Sequence, residues 1–159
     1  MMGCRTVEES SLSGESFADD YLPHLLVRAA HVISAGFKKE LRRDGIQVPV
    51  WRVLAVLFDR TMTTVTDLAN RCAIQQSTLS KLLDRMEQQK LVSRTISERD
   101  RRIVHITLTI AGRETAAKLI DAAKLHEAML LARHPKVQGV KDALRVIIAD
   151  SANVRREAR

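Results

Sequence analysis

Apolar residues recur along this chain at helical spacing for most of its length, and alternate with polar ones in only one short stretch. Leu22, Leu25, Leu26, Ala29, Ile33, Phe37 and Leu41 return every three or four residues, which predicts a first helix of roughly 25 residues. Ser16, three residues before Asp19, resembles a capping box, Asp19 and Asp20 suit the helix dipole, and Pro23 is tolerated near the first turn. Asp44-Gly45 ends this helix, and Pro49 opens a second at a position where its missing N–H costs nothing. Trp51, Leu54, Ala55, Leu57 and Phe58 form that helix's apolar face. Thr66 is expected to cap a third helix, with Asp67 in its first turn and Leu68 and Ala69 facing inward. A fourth runs from about Gln76 to Gln89, with Leu79, Leu82, Leu83 and Met86 as its buried stripe.

Two strands follow, Leu91–Ile96 and Ile103–Leu108; in the second, Val104, Ile106 and Leu108 alternate with His105 and Thr107. Thr109 caps a fifth helix reaching about Arg133, and His134-Pro135 breaks it. A sixth helix carries Val137, Val140, Leu144, Ile147 and Ile148 along one side. Residues 1–15 are rich in Ser, Gly and Glu and are expected to be disordered. There is no internal repeat.

The stretch from Thr66 to Leu108 therefore reads as short helix, three-residue break, longer helix and hairpin, the order of a winged helix-turn-helix. The fold class is mainly α with a small β-hairpin wing. The fourth helix is the candidate reader of a DNA major groove. Its outward residues Gln75, Gln76, Ser77, Thr78, Ser80, Lys81 and Arg85 are the short polar and basic types that bond base edges and phosphates. Taken alone, such a face is equally an ordinary solvated one; the short helix before it and the hairpin after it tip the reading toward DNA. The link between the strands holds Arg99, Asp100, Arg101 and Arg102, and an Arg at a hairpin tip suits the negative minor groove. Asp100 is expected to hold one of those guanidiniums by a bidentate pair.

Composition narrows the partners. The chain of 159 residues fits one domain, and with only 3% aromatic residues its core should be built from Leu, Ile, Val and Ala. The net charge of +7 is uneven, because residues 1–20 set Arg5 against Glu8, Glu9, Glu15, Asp19 and Asp20. A basic body of this kind favours polyanions. No apolar run is long enough for a membrane span, and the start of the chain lacks the basic and apolar regions of a secretory signal. Cys4 and Cys72 imply no disulfide framework, so a reducing cytoplasm is the expected location. His24, His31, His105, His126 and His134 show no metal-ligand spacing, and no nucleophile triad or Gly-rich phosphate loop points to an enzyme; neither a metal nor a cofactor is expected.

A small-molecule site has weaker support. His24, Arg28 and His31 share a face of the first helix, and Trp51 and Arg52 stand on the second. A cation beside an indole suits an aromatic carboxylate, although Trp51 serves equally as core packing and the histidines as surface. Cys72, beside Ala73 and Ile74, reads as a buried inert thiol.

The block A-x-x-x-x-I-Q-Q-S-T-L-S-x-L-L-D-R-M-E, the wing E-R-D-R-R-I-V-H-I-T-L-T with its Asp100-x-Arg102 and Leu108-Thr109, and P-V-W-R-V-L at 49–54 resemble the MarR family of bacterial transcriptional regulators. The likeness covers about residues 17–150. It implies one unit over residues 16–159, with the winged lobe at 48–108 and dimerisation helices at 16–45 and 109–155. It also implies a homodimer whose interface includes Val140, Leu144, Ile147 and Ile148, on a palindromic double-stranded operator. A small effector is implied between interface and DNA lobe, here an aromatic acid or its coenzyme A thioester, releasing a repressor of aromatic catabolism or efflux genes. The alternative within the same fold is a regulator that senses thiol oxidation.

Overall fold

The computed structural model describes residues 17–157, with side chains as far as Asp150. The expected tail at 1–15, the Ser16 cap and Cys4 lie outside the described residues. The chain divides after Ala35 into two compact units.

In the first unit the expected single opening helix is two. Helix α1 (Phe17–Asp20) stops at Tyr21, and α2 (Leu22–Arg43) begins immediately after it. The cause is Pro23, which has no N–H to continue the ladder and whose ring crowds the preceding turn. His24 N–H instead donates to the Tyr21 carbonyl at 2.9 Å, and the Phe17 and Tyr21 rings stack with centroids 5.1 Å apart. Arg28 pairs with Asp19 at 2.6 Å.

The second unit opens with the end of α2, whose Phe37 and Leu41 are buried. It continues through α3 (Val48–Phe58), β1 (Thr63–Thr64), α4 (Val65–Cys72), α5 (Gln76–Gln88), β2 (Val92–Ile96), β3 (Val104–Leu108), α6 (Ile110–Arg133) and α7 (Val137–Glu157). Pro49 sits in the first turn of α3, as its chemistry requires. Thr64, rather than Thr66, caps α4. Its backbone is extended, at φ −78° and ψ 158°, because it also belongs to β1, and its hydroxyl accepts the Asp67 N–H at 3.2 Å. Strand β1 was not foreseen, since two residues are too few to show alternation.

The antiparallel sheet has the order β1-β3-β2. Thr63 lies opposite Ile106 at one edge, and Val92, Arg94 and Ile96 lie opposite Leu108, Ile106 and Val104 at the other. Leu91 and Ile103, expected as strand ends, fall just outside. The core gathers Leu41, Val53, Leu54, Leu57, Leu68, Leu79, Leu83, Met86, Val92 and Ile106 from helices and sheet together.

Helix α6 starts against the end of the α5–β2 turn. Thr109 caps it, accepting the Gly112 N–H at 3.0 Å, while its own N–H donates to the Leu91 carbonyl at 3.1 Å. A Cβ at Gly112 would stand 1.9 Å from that carbonyl oxygen, so only glycine permits this approach. Helix α7 is tied to α6 by the Lys141–Glu127 pair at 2.7 Å. Among the described residues no helix is long and apolar enough to cross a membrane, and no cluster of His, Cys, Asp or Glu is arranged to hold a metal.

Candidate nucleic-acid interface

The helix pair that would meet DNA is fixed by local chemistry. Helix α4 ends because Ala73 turns left-handed at φ 51°, and the Ile74 N–H closes back on the Ala69 carbonyl at 3.0 Å. Its start is held by Asp67, whose Oδ2 accepts from Arg71 Nε at 2.7 Å and from the buried Thr63 hydroxyl at 2.8 Å. The Arg71 hydrogen bond, helped by that from Thr63 and opposed by partial burial, holds the Asp67 carboxyl below its ordinary value.

Helix α5 has two distinct faces. Leu79, Leu82, Leu83 and Met86 are buried, as their spacing predicts. Gln75, Gln76, Ser77, Thr78, Lys81 and Arg85 are exposed. Ser80 differs: it is half-buried, and its hydroxyl donates to the Gln76 carbonyl at 2.9 Å. Gln75 caps the helix without a side-chain hydrogen bond, so its side chain leaves the first-turn amides at Gln76 and Ser77 uncapped. Amides in that position suit a phosphate.

Lys90, left-handed at φ 58°, turns the chain from α5 into β2. The wing beyond β2 is closed by Ser97 N–H to the Ile103 carbonyl and Ile103 N–H to the Asp100 carbonyl, both 2.9 Å. Asp100 does not hold a guanidinium, contrary to expectation. Its Oδ1 accepts the backbone N–H of Arg102 at 2.9 Å, the local turn chemistry of a short acidic side chain. Among the described residues Arg99, Arg101 and Arg102 form no ion pair, and all three are exposed. The carboxylate therefore shapes the loop and leaves three guanidiniums for other anions.

Sequence reasoning missed one group at this face. Arg94 of β2 reaches α5, with Nη2 2.6 Å from Asp84 Oδ1 and 3.2 Å from the Ser80 carbonyl, and Nε 3.7 Å from Glu87 Oε2. The signal was an arginine standing between Val92 and Ile96 on one side of a strand.

The small-molecule candidates fall in both units. His24, Arg28 and His31 are exposed in the first, where Arg28 is already paired with Asp19. In the second, Trp51 is half-buried and meets Phe37 edge-on at 5.1 Å, so packing is one of its duties, while Arg52 is exposed. An open cavity of about 520 Å³ that the sequence did not suggest is lined by Lys38, Leu41, Arg42, Ile46 and Val48. Cys72 is buried, and desolvation pushes its thiol up to about 11 against the opposing charge of Arg52.

Comparison with known proteins agrees with this geometry. Residues 44–103 match the MarR family model. The chain is 31% identical over 103 residues to the organic hydroperoxide resistance transcriptional regulator of Bacillus subtilis, a match spanning 65% of this chain and 70% of that one. A MarR family transcriptional regulator from Silicibacter pomeroyi DSS-3 superposes with a TM-score of 0.76 at 32% identity, covering 84% of this chain and 99% of that one. NadR in complex with 4-hydroxyphenylacetate superposes at 0.69 with 25% identity, covering 86% and 95%. A winged sheet, an open polar helix face and relatives that are transcriptional regulators rather than enzymes lead to one conclusion: this chain belongs to the MarR family of DNA-binding transcription regulators.

Proposed function

We propose that this regulator is a homodimeric repressor that reads a palindromic operator and is released by a small aromatic acid or its coenzyme A thioester. One observation carries the DNA-reading part. The exposed α5 residues Gln75, Gln76, Ser77, Thr78, Lys81 and Arg85 belong to the same unit as three wing arginines that have no ion pair among the described residues. The helix face would supply base-edge contacts, and Arg99, Arg101 and Arg102 would enter the adjacent minor groove.

The dimer rests on α7. Val140 is 50% exposed and Ile148 68% exposed, apolar surface that a second copy of the chain would bury. The half-buried Leu144 and the exposed Ile147 lie along the same helix. An isologous pair would set two recognition helices about 34 Å apart, one duplex turn. The effector class follows the complex of NadR with 4-hydroxyphenylacetate, with Trp51 and Arg52 as contacts offered by α3. Effector binding would favour a spacing of the two lobes that no longer matches successive grooves. The controlled genes would then serve aromatic catabolism or efflux, in the cytoplasm.

The test is a screen of aromatic acids and their coenzyme A thioesters against a labelled duplex selected by the protein from a random-sequence pool. Release by one such compound at micromolar concentration supports the reading; a duplex held against all of them removes the effector class.

The resemblance to a hydroperoxide resistance regulator favours a second reading, release by thiol oxidation. The burial of Cys72 and its raised pKa argue against that thiol as the sensor, because the thiolate is the reactive form. Organic hydroperoxide that releases the duplex from the parent but not from Cys4→Ser/Cys72→Ser would establish it.

A further inference from the structure

We infer that Arg94 is a positioning residue for DNA reading: it fastens the recognition helix to the wing sheet and neutralises an acidic group on the helix's reading face. The inference rests on α5 being the DNA-reading helix and concerns a residue that does not itself touch the duplex.

The argument begins with the strand. Arg94 lies opposite Ile106, which is fully buried, and shares its side of the sheet with Val92. An arginine there occupies a position that alternation assigns to an apolar residue. Its side chain is 29% exposed, and Nε is buried without a hydrogen bond. Holding a guanidinium in such a place is costly unless anions surround it.

Those anions come from α5. Ser77, Lys81 and Asp84 stand at i, i+4 and i+7, with Ser80 at i+3, so Asp84 belongs to the same helical stripe as the candidate base and phosphate contacts. An unneutralised carboxylate on that stripe would face a phosphate backbone. Arg94 closes on it at 2.6 Å, and its Nε faces the Glu87 carboxylate at 3.7 Å. The same guanidinium donates to the Ser80 carbonyl at 3.2 Å, which ties the helix backbone as well as its side chains to β2. A charged hydrogen bond of this kind fixes direction as well as distance. The helix cannot then change its pitch relative to the wing without breaking these bonds. The two halves of the interface are thereby held in one register.

The experiment is a double-substitution cycle read by titration of a duplex that the parent selects from a random-sequence pool, at several salt concentrations. Arg94→Met should weaken binding about tenfold, the size of a lost charge-assisted hydrogen bond. The same change in an Asp84→Asn background should cost no more than about twofold, because the charge that needs neutralising is gone. The dependence of log affinity on log salt should keep its slope, whereas loss of a phosphate contact would lower that slope by about 1. An equal cost in both backgrounds, or a slope reduced by about 1, overturns the inference. If Arg94→Met does not fold, Arg94→Lys keeps the charge but not the planar fork, and the same non-additivity with Asp84→Asn is expected; additivity there overturns the inference too. A parent that selects no duplex would overturn the DNA-reading assignment itself, and this inference with it.

Discussion

Helices α5 and α7 are both amphipathic, and their apolar stripes meet different fates. In α5, Leu79, Leu83 and Met86 are completely buried within the chain. In α7, Val140, Ile147 and Ile148 are half to two-thirds exposed. The α5 stripe belongs to a core shared with α3, α4, β2 and β3, so its outward polar face is held firmly enough to read a surface. Helix α7 follows the His134-Pro135 break and is tied to α6 through Lys141–Glu127. A helix whose apolar face lies in its own core serves as a rigid platform. One whose apolar face stays exposed is suited to association.

Substitutions on the two stripes should therefore behave oppositely. Leu83→Ala should cost about 2–5 kcal/mol of unfolding free energy, the range for a cavity in a packed core. Ile148→Ala in dilute protein should change it by less than about 0.5 kcal/mol, as at an ordinary surface position. Chemical denaturation compares them directly, and equal costs would erase the distinction between the helices.

Charge on the exposed stripe sharpens it further. Val140→Asp with Ile148→Asp should leave the fold intact, because both sites are open to water, yet move the protein from dimer to monomer in sedimentation. A variant that stays dimeric, or a parent that is monomeric at micromolar concentration, would take the interface away from α7.

On the reading side, Arg102→Ala should weaken duplex binding by roughly 1–3 kcal/mol with no loss of stability, since its guanidinium makes no ion pair among the described residues. A gel-shift titration that matches the parent would remove Arg102 from the contact.

The smallest effect concerns Asp67. Its carboxyl titrates below the ordinary value in the folded chain, so the stability it lends is present above the unfolded value and is lost as pH falls through the folded one. Asp67→Asn should therefore be slightly less stable at neutral pH and should lose less stability between about pH 5 and pH 2. Parallel acid-unfolding curves for the two proteins would contradict this.

The course of the chain was legible wherever an apolar stripe was long or a cap had its own chemistry. The stripe of α5, Thr109 at the start of α6 and the His134-Pro135 break were all readable as residues. The misses are contacts between elements. Strand β1 exists because Thr63 and Thr64 find β3, and that pairing moves the α4 cap from Thr66 to Thr64. Asp100 was read for its charge, but with a backbone N–H two residues away it shapes the loop instead. Arg94 and Asp84 lie ten positions apart in sequence, and only the fold brings them within 2.6 Å. The effector face was the least legible, since a tryptophan that packs against Phe37 looks the same in sequence as one that grips a ligand.

The central claim is that the open face of α5 lies on duplex DNA. Its most direct test places a DNA-cleaving iron chelate on that face, through Ser77→Cys in a Cys4→Ser background, where the buried Cys72 should not take the label. Bound to the selected duplex, the labelled protein should cut within the region it protects, in two clusters about 10 base pairs apart. A duplex that is protected but uncut near the protein would show that another surface holds it, and would contradict the account.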